Sequence, residues 1–472
     1  MKTDTLSRKD IFSLLLGLFF FIASFLLSYT LPEKPSEAGA LSRNGLIMLG
    51  ILFMAAIFWV TEPIPLAATA LLVMVLQIIT GVSHSESVFA SFGNRAVFFL
   101  VGALMLAAAI QKHGVHKRVA LRFLTHFGSS PTQMTLGIFS LSLILPFIMP
   151  EHAVVALLLP ILLHLLLALE VEPLKSNFGR VCMLSMAYGA TIGSLGTLMG
   201  GARNPLTIAF LKETSGKDIG FLDWMVVSLP VVLITAPLVW LILIKFYPPE
   251  PLDLSKARKA LKKEVEEIGP LSRNEIKVLS ILFFTIFLWI FFSSSFNVEV
   301  VALIGAVLLF VFKIVDWKDI ESEMQWGILL LYGGAITLGV NLEKTGAALW
   351  LSNKILEFTG YNDYLLILVL ILLSIFITQI MSNTAAVAML LPIGYSFTLN
   401  TNLTVELTSF LIGLSGGLAF MFVIATPGYT IAYTAGYFST KELFKAGFVA
   451  NVVSIVVIFL VALTYWKLIG VW

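Results

Sequence analysis

Long apolar runs separated by short polar breaks divide this chain. The pattern predicts eleven spanning runs, at about 11–30, 44–61, 64–82, 96–124, 178–212, 222–246, 277–294, 298–315, 326–356, 406–437 and 447–469. A helix needs roughly 20 apolar residues to cross the hydrocarbon core of a bilayer. Two further apolar stretches, about 133–168 and 363–398, are interrupted near their middles by polar residues. Each is too broken for one span and too short for two. They predict re-entrant hairpins, whose non-helical tips must lie inside protein or line a watery cavity.

Composition agrees with lipid as the solvent. The 472 residues are 58% hydrophobic and 12% charged, with mean hydropathy +0.96, against about 25% charged residues in soluble domains. The net charge of +2 comes with no basic stripe interleaved with aromatics, which argues against a nucleic-acid partner. The single cysteine, Cys182, lies in an apolar stretch and reads as a small core residue. The first apolar run, Ile11 to Tyr29, follows Lys2, Arg8 and Lys9 as a signal peptide would. It exceeds the 7–15 residues or so of a signal-peptide core, and no small-residue cleavage site follows, so it reads as the first span.

The Lys/Arg bias sets an orientation. Lys112, Lys117, Arg118 and Arg122 form one basic segment, and the long loop at about 247–276 carries Lys256, Arg258, Lys259, Lys262, Lys263 and Arg273. Placing both inside also places the N-terminus in the cytoplasm. Glu264, Glu266 and Glu267 in the same loop suggest a solvated surface helix linking two halves.

The halves resemble each other at an offset of 232 residues. Gly102 pairs with Gly334, Lys112 with Lys344 and Gly114 with Gly346. Without a gap, Met149-Pro150-Glu151-His152-Ala153 pairs with Met381-Ser382-Asn383-Thr384-Ala385, and Pro160 with Pro392. Span counting brings the first hairpin in from inside and the second from outside. The expected fold is therefore an all-α integral membrane protein, with about eleven transmembrane helices and two re-entrant hairpins in two inverted-topology repeats. Its expected parts are N-terminal scaffold helices (1–95), a first repeat (96–246), a cytoplasmic linker (247–276), second-half scaffold helices (277–325) and a second repeat (326–472). Carriers built this way bind substrate and ions near the midplane, at the discontinuous segments of both halves.

The polar tips supply the candidate chemistry. Ser382-Asn383-Thr384 offers an amide, two hydroxyls and freed carbonyls, a neutral oxygen set suited to a monovalent cation, with a half-helix N-terminus for an anion. Small polar residues also serve simply to glue helices together. Thr378, four residues earlier, can point to the same place. The matching first-half tip is Pro150-Glu151-His152, and ionisable residues at such depth mark ion or proton paths. A second break follows in each half: Gly193 to Pro205, which contains Arg203 and Asn204, and Ala425-Thr426-Pro427-Gly428-Tyr429-Thr430. Arg203 either pairs with Glu151 or receives an anion bidentately.

These residues resemble the divalent-anion:sodium symporter family, which includes citrate and dicarboxylate transporters. Phe58 to Leu72, with Thr61-Glu62-Pro63-Ile64-Pro65 at its centre, looks like the family's second-to-third helix corner. Ser382-Asn383-Thr384 matches its Ser-Asn-Thr hairpin tip, and Ala425-Thr426-Pro427 the start of its Ala-Thr-Pro-Pro-Asn break. The resemblance covers essentially the whole chain. It implies a homodimer in the plasma membrane, with a scaffold and a moving part in elevator-like alternating access, carrying di- or multivalent anions with Na⁺. It also implies one sodium site at Thr378, Met381, Asn383 and Ala425. Substrate would meet Ser382, Asn383, Thr384, Thr426 and Pro427, with Glu151, His152, Arg203 and Asn204 facing them from the first half.

The first half departs from the family. Pro150-Glu151-His152 replaces Ser-Asn-Thr, Pro146 stands in place of a hydroxyl residue, and Gly201-Ala202-Arg203-Asn204 replaces Thr-Pro-Pro-Asn. In the second half Gly428 and Tyr429 replace the last Pro-Asn. The first-half sodium site, near Glu151 and Gly200, thus loses side-chain ligands. Either a proton replaces that sodium through Glu151 and His152, or Glu151 balances Arg203 in an anion exchanger; a sulfate, sulfonate or arsenite-like oxyanion is the alternative cargo. A channel would need an open file of sites, which paired hairpins do not suggest. No H-E-x-x-H, C-x-x-C, G-x-S-x-G or P-loop pattern gives enzyme chemistry or an organic cofactor a seat. His113 and His116 read as interfacial, while His84, His126 and His164 have no partner visible in sequence.

Overall fold

The computed structural model describes residues 7–33, 40–292, 295–359 and 362–472. In chain order the helices are α1 Arg8–Ser28, α2 Arg43–Thr61, α3 Leu66–Ile79, α4 Ser85–Ala90, α5 Arg95–Lys112, α6 Val115–Leu124, α7 Pro131–Ile144 and α8 Glu151–Ala168. Next come α9 Asn177–Gly193, α10 Arg203–Ser215, α11 Phe221–Phe246, α12 Ser255–Ile268, α13 Arg273–Phe291, α14 Val298–Val311 and α15 Trp317–Glu323. The remainder are α16 Trp326–Lys344, α17 Ala347–Thr359, α18 Asp363–Thr378, α19 Asn383–Phe397, α20 Val405–Ser415, α21 Pro427–Thr434 and α22 Thr440–Val461.

Among the described residues, eight helical stretches are long and apolar enough to cross a membrane. Seven coincide with expected runs; the eighth is α8, an arm of the first hairpin. The runs at 64–82 and 298–315 yield helices of 14 residues each. Those at 178–212 and 406–437 are each interrupted by a break in the α-helix, the second containing one 3-10 turn at Val423–Ala425. The runs at 96–124 and 326–356 each turn a corner. Gly114 (φ 65°) separates α5 from α6, and Gly346 (φ 73°) separates α16 from α17. Both glycines sit in the left-handed region that a Cβ disfavours. The basic α6 therefore leaves the axis of its span.

Helix starts recur at the same spacing as the sequence match. Val115 and Ala347, Pro131 and Asp363, and Glu151 and Asn383 open α6/α17, α7/α18 and α8/α19, each pair 232 apart. Gly102 and Gly334 have a shared physical role. A Cβ on Gly102 would lie 2.6 Å from the Ala302 carbonyl carbon on α14, and one on Gly334 would lie 2.7 Å from Ala70 Cβ on α3. Glycine thus lets α5 meet α14, and α16 meet α3, at backbone distance, as close-packed membrane helices require. The second crossing also carries a buried polar cluster. Asn341 Nδ2 donates to Gln77 Oε1 at 2.5 Å, and Thr337 Oγ1 lies 3.3 Å from the same oxygen.

The halves interlock. α10, from the first, packs on α19 and α20 of the second, while α21 packs on α8 and α9. Outward faces of α1 and α13 expose Phe12, Phe19, Phe283 and Phe291, as lipid contact demands.

The linker is not wholly solvated as expected. α12 buries Ala257 and Leu261 and packs against α6 and α8. Arg118 on α6 clamps the linker's end: Nε donates to Glu275 Oε1 at 2.6 Å, Nη2 to Glu275 Oε2 at 3.0 Å, and Nη1 to Gly269 O at 2.6 Å. The histidines of this region also have partners within the fold. His116 is buried, with Nδ1 2.9 Å from Ile110 O, and His113 Nε2 lies 2.8 Å from Ile314 O. Each ring thus sets one nitrogen against a backbone carbonyl, and His113 is half-buried. His164 does have a partner, Glu264 of α12, at 3.5 Å.

Candidate functional site at the two hairpin tips

Each hairpin has a short non-helical tip, and each tip lies against the break of its own half. In the second half, α18 ends at Thr378 and α19 begins at Asn383. Thr378 is fully buried. Its Oγ1 lies 2.5 Å from Asn383 Oδ1 and 2.8 Å from Gly416 O, the carbonyl that ends α20. One hydroxyl proton serves only one of these at a time, so three uncharged oxygens converge with one proton among them. This set is the kind a monovalent cation takes, and Asn383, at the first turn of α19, belongs to it.

Sequence reasoning missed Gln379, which holds this arrangement in place. It is fully buried; its Oε1 accepts from Met421 N at 3.0 Å, and its Nε2 donates to Ile375 O at 3.2 Å. The tip is thereby tied to the middle of the 416–426 break. A lone glutamine beside Thr378 in an apolar arm was the available signal. Of the four residues expected around sodium, the structure brings Thr378 and Asn383 together and adds the Gly416 carbonyl. Met381 is buried at the tip, and Ala425 lies at the other end of the break, where its amide donates to Phe422 O at 3.1 Å. Ser382 is half-buried, Thr384 buried and Pro427 exposed. Thr426 caps α21 by accepting from Tyr429 N at 3.3 Å.

The first half is built differently. Glu151 is buried at the first turn of α8, and its amide donates to Gly200 O at 3.0 Å. Arg203, 2% exposed, opens α10 and reaches back, Nη2 donating to Ser194 Oγ at 2.7 Å. Ser194 ends α9, the place Gly416 holds at the end of α20. A Cβ on Gly201 would lie 2.6 Å from Arg203 Nη1, and one on Gly417 would overlap the guanidinium. Two glycines, one from each half, therefore leave the slot the guanidinium fills.

Glu151 and Arg203 form no direct ion pair; the guanidinium is held by Ser194 Oγ instead. Glu151 Oε2, Arg203 Nε and Asn204 Oδ1 are buried without a hydrogen-bond partner among the described residues. Buried polar atoms are seldom left so, and several of them together mark a place where a ligand's polar groups would be met. His152 is half-buried and contacts Gln325 Nε2, ahead of α16, rather than Glu151.

Most carbonyls of the first break already accept a hydrogen bond. Ser194 O and Thr197 O accept from Asn204 Nδ2 at 2.8 and 2.7 Å. Leu195 O accepts from Trp224 Nε1 at 2.8 Å, Gly196 O from Ser228 at 3.3 Å, and Gly201 O from Asn204 N at 3.0 Å. Ala202 O accepts from Tyr332. Asn204 is thus a staple within its own break, a role its position alone did not reveal. A cavity of about 610 Å³ opens at the far end of α10, lined by Arg95, Lys212, Glu213, Asp218, Asp223 and Glu299 among others. It is predominantly acidic and does not include the tips.

Comparison with known proteins places this architecture. The chain is similar to the sodium-dependent dicarboxylate transporter SdcS of Staphylococcus saprophyticus, 30% identical over 450 residues that span 89% of this chain and 86% of that protein. It is 27% identical to SdcS of Staphylococcus aureus over 486 residues, spanning 98% of this chain and 92% of the relative. Among solved structures, Neisseria gonorrhoeae MtrF, described as illuminating a class of antimetabolite efflux pumps, superposes with a TM-score of 0.60 at 12% identity, covering 97% of this chain and 95% of that one. The Alcanivorax borkumensis YdaH transporter, described as having an unusual topology, gives 0.58 at 11% identity, with 97% and 98% covered. At such identity these two speak to fold alone. The model of the sodium:sulfate symporter transmembrane region matches residues 12–472, and the chain belongs to that family.

Proposed function

We propose that this protein is a secondary active carrier of small di- or multivalent anions, dicarboxylate-like in the first instance, driven by Na⁺. The observation that carries the reading is the convergence of Thr378 Oγ1, Asn383 Oδ1 and Gly416 O at a helix discontinuity. It has the oxygen chemistry of a sodium site, beside a half-helix N-terminus suited to a carboxylate. The names borne by the SdcS relatives support the same cargo and coupling ion. Substrate then lies between the tips, with Ser382, Asn383, Thr384 and Thr426 on one side and Arg203 on the other. Alternating access moves the hairpins and breaks together, elevator-like, against the scaffold helices of residues 1–95 and 277–325. The working unit is a homodimer in the plasma membrane, with the N-terminus and the basic linker in the cytoplasm.

The unpartnered Arg203 Nε and Glu151 Oε2 favour one second reading. A guanidinium with a free donor suits sulfate or a sulfonate, exchanged without sodium. Uptake of labelled succinate, citrate and sulfate into proteoliposomes separates the two. Uptake of one anion under an inward Na⁺ gradient supports the carrier as proposed. Uptake driven only by anion preloaded inside, indifferent to Na⁺, refutes sodium coupling. Uptake driven by a pH gradient, and lost in Glu151→Gln, moves coupling to the first-half tip.

A further inference from the structure

The second half assembles three elements around its oxygen cluster: the end of the first hairpin arm (Thr378), the first residue of the second arm (Asn383), and the residue ending the following long helix (Gly416). The first half presents the same three places. At the 232-residue offset they are Pro146 and Glu151, and the residue ending α9 is Ser194. Two of the three change their counterpart's chemistry, and the third is already held. Pro146 has no side-chain oxygen. Glu151 brings a full charge in place of an amide. Ser194 Oγ is held by Arg203 at 2.7 Å, and Ser194 O by Asn204 at 2.8 Å.

A sodium ion needs several oxygens free to turn towards it. Here Ser194 O, Leu195 O, Thr197 O, Gly200 O and Gly201 O accept from N–H groups, which have no lone pair to turn towards an ion, whereas Gly416 O accepts from the Thr378 hydroxyl, itself an oxygen of the second-half set. The neighbourhood is not short of positive charge either. A guanidinium, always protonated, lies against Gly201 and Gly417, and the residue before Gly201 is Gly200, whose carbonyl holds the Glu151 amide. A carboxylate buried without a cation would be strongly disfavoured, and the guanidinium meets that need permanently. The residues of the first half do not fit sodium.

We infer that Arg203 is the resident cation of the first half, so that each chain carries a single sodium site, at Thr378, Asn383 and Gly416. The inference rests on the sodium-coupled reading above. It goes further by setting the ion count and the electrical character of the cycle. One Na⁺ moving with a dianion carries one net negative charge, so an inside-negative potential slows uptake. Two Na⁺ would make the cycle silent, and three would reverse the sign.

The test counts sodium. Equilibrium binding of radioactive Na⁺ to the purified protein, with choline as the balancing cation, is paired with Na⁺ titration of anion uptake and with uptake under imposed K⁺ diffusion potentials. One site per chain, a Hill coefficient near one and slowing by an inside-negative potential are expected. Two or more bound sodium ions, or a Hill coefficient near two, overturn the inference while leaving sodium coupling intact. No sodium binding and no response of uptake to Na⁺ overturn the coupled reading itself, and the inference with it. Arg203→Ala adds a direct arm, read at mildly alkaline pH where protons do not compete. With the guanidinium gone, the Glu151 carboxylate draws in a second sodium and the count rises from one to two. A folded Arg203→Ala protein that still binds one sodium shows that Arg203 does not exclude the ion. The wild-type count decides the matter even where this variant does not fold.

Discussion

Replacing Thr378 by valine tests the second-half cluster most directly. Valine keeps the shape of threonine and removes one oxygen. Thr378 is fully buried, so no water replaces that oxygen from the surface. The lost hydroxyl lies 2.5 Å from Asn383 Oδ1 and 2.8 Å from Gly416 O, so both partners lose their shared donor. Leaving a buried acceptor unmet costs about 1–3 kcal/mol, which lowers the melting temperature without unfolding a protein of this size. The effect on sodium is separate. An interaction with a charged group is worth about 1.5–3 kcal/mol, and about 1.4 kcal/mol is a tenfold change in affinity. Half-saturation by Na⁺ should therefore rise by about 10- to 150-fold. Thr378→Ser, which restores the oxygen, should return most of it. The assay is anion uptake into proteoliposomes across a Na⁺ series, with thermal melting in Na⁺ and in choline as the binding readout. A folded Thr378→Val protein whose Na⁺ half-saturation stays within about twofold of wild type would refute the placement of sodium here.

Other substitutions probe the remaining links. Gly417→Ala puts a methyl where the Arg203 guanidinium lies; overpacking of about 1–3 kcal/mol should lower the melting temperature and raise the anion half-saturation concentration, whereas unchanged uptake would show that the guanidinium has another place to go. Gly102→Ala and Gly334→Ala each press a Cβ on a neighbouring helix, at 2.6 and 2.7 Å, and should each cost about 1–3 kcal/mol in thermal melting, with larger residues costing more. Arg118→Met strands the buried Glu275 carboxylate and should cost about 3–5 kcal/mol; Arg118→Met/Glu275→Met should recover most of the loss, and a double variant no more stable than the single one would contradict the pairing. Gln379→Leu unties the second tip from Met421 and should lower uptake at saturating Na⁺ more than it lowers the melting temperature, a split that a purely structural glutamine would not produce.

Much of this architecture was written in local features. Pro150 and Ser382 precede helices that start at Glu151 and Asn383 because each tip gathers polar residues and a helix start between apolar arms. Gly114 and Gly346 end straight spans because a left-handed residue turns the chain wherever it occurs. The runs at 64–82 and 298–315 were less well delimited. Hydropathy continues past a helix end when the following turn is also apolar, so length in sequence overstates length in helix.

The site was legible only in outline. Thr378, Asn383, Glu151, Arg203 and Asn204 stood out as polar residues in apolar surroundings, and each lies at a tip or a break. Gly416, Ser194 and Gly417 did not, because a backbone carbonyl, a small hydroxyl and an absent side chain leave little trace in composition. Asn204 spends its Nδ2 as a staple while its Oδ1 stays without a partner among the described residues, and His152 contacts Gln325.

The sequence by itself determined the membrane class, the repeat of 232 residues and the polar tips, because hydropathy, helix-breaking residues and charge act through neighbours in the chain. Only the tertiary structure decided which oxygens meet. Thr378 finds Gly416 and Arg203 lies against Gly417 because the breaks fold back on hairpins made from distant segments, and α10 and α21 each pack into the opposite half. The outcome there depends on which backbone groups are already satisfied and where glycine leaves room, and neither is a property of a residue or its neighbours.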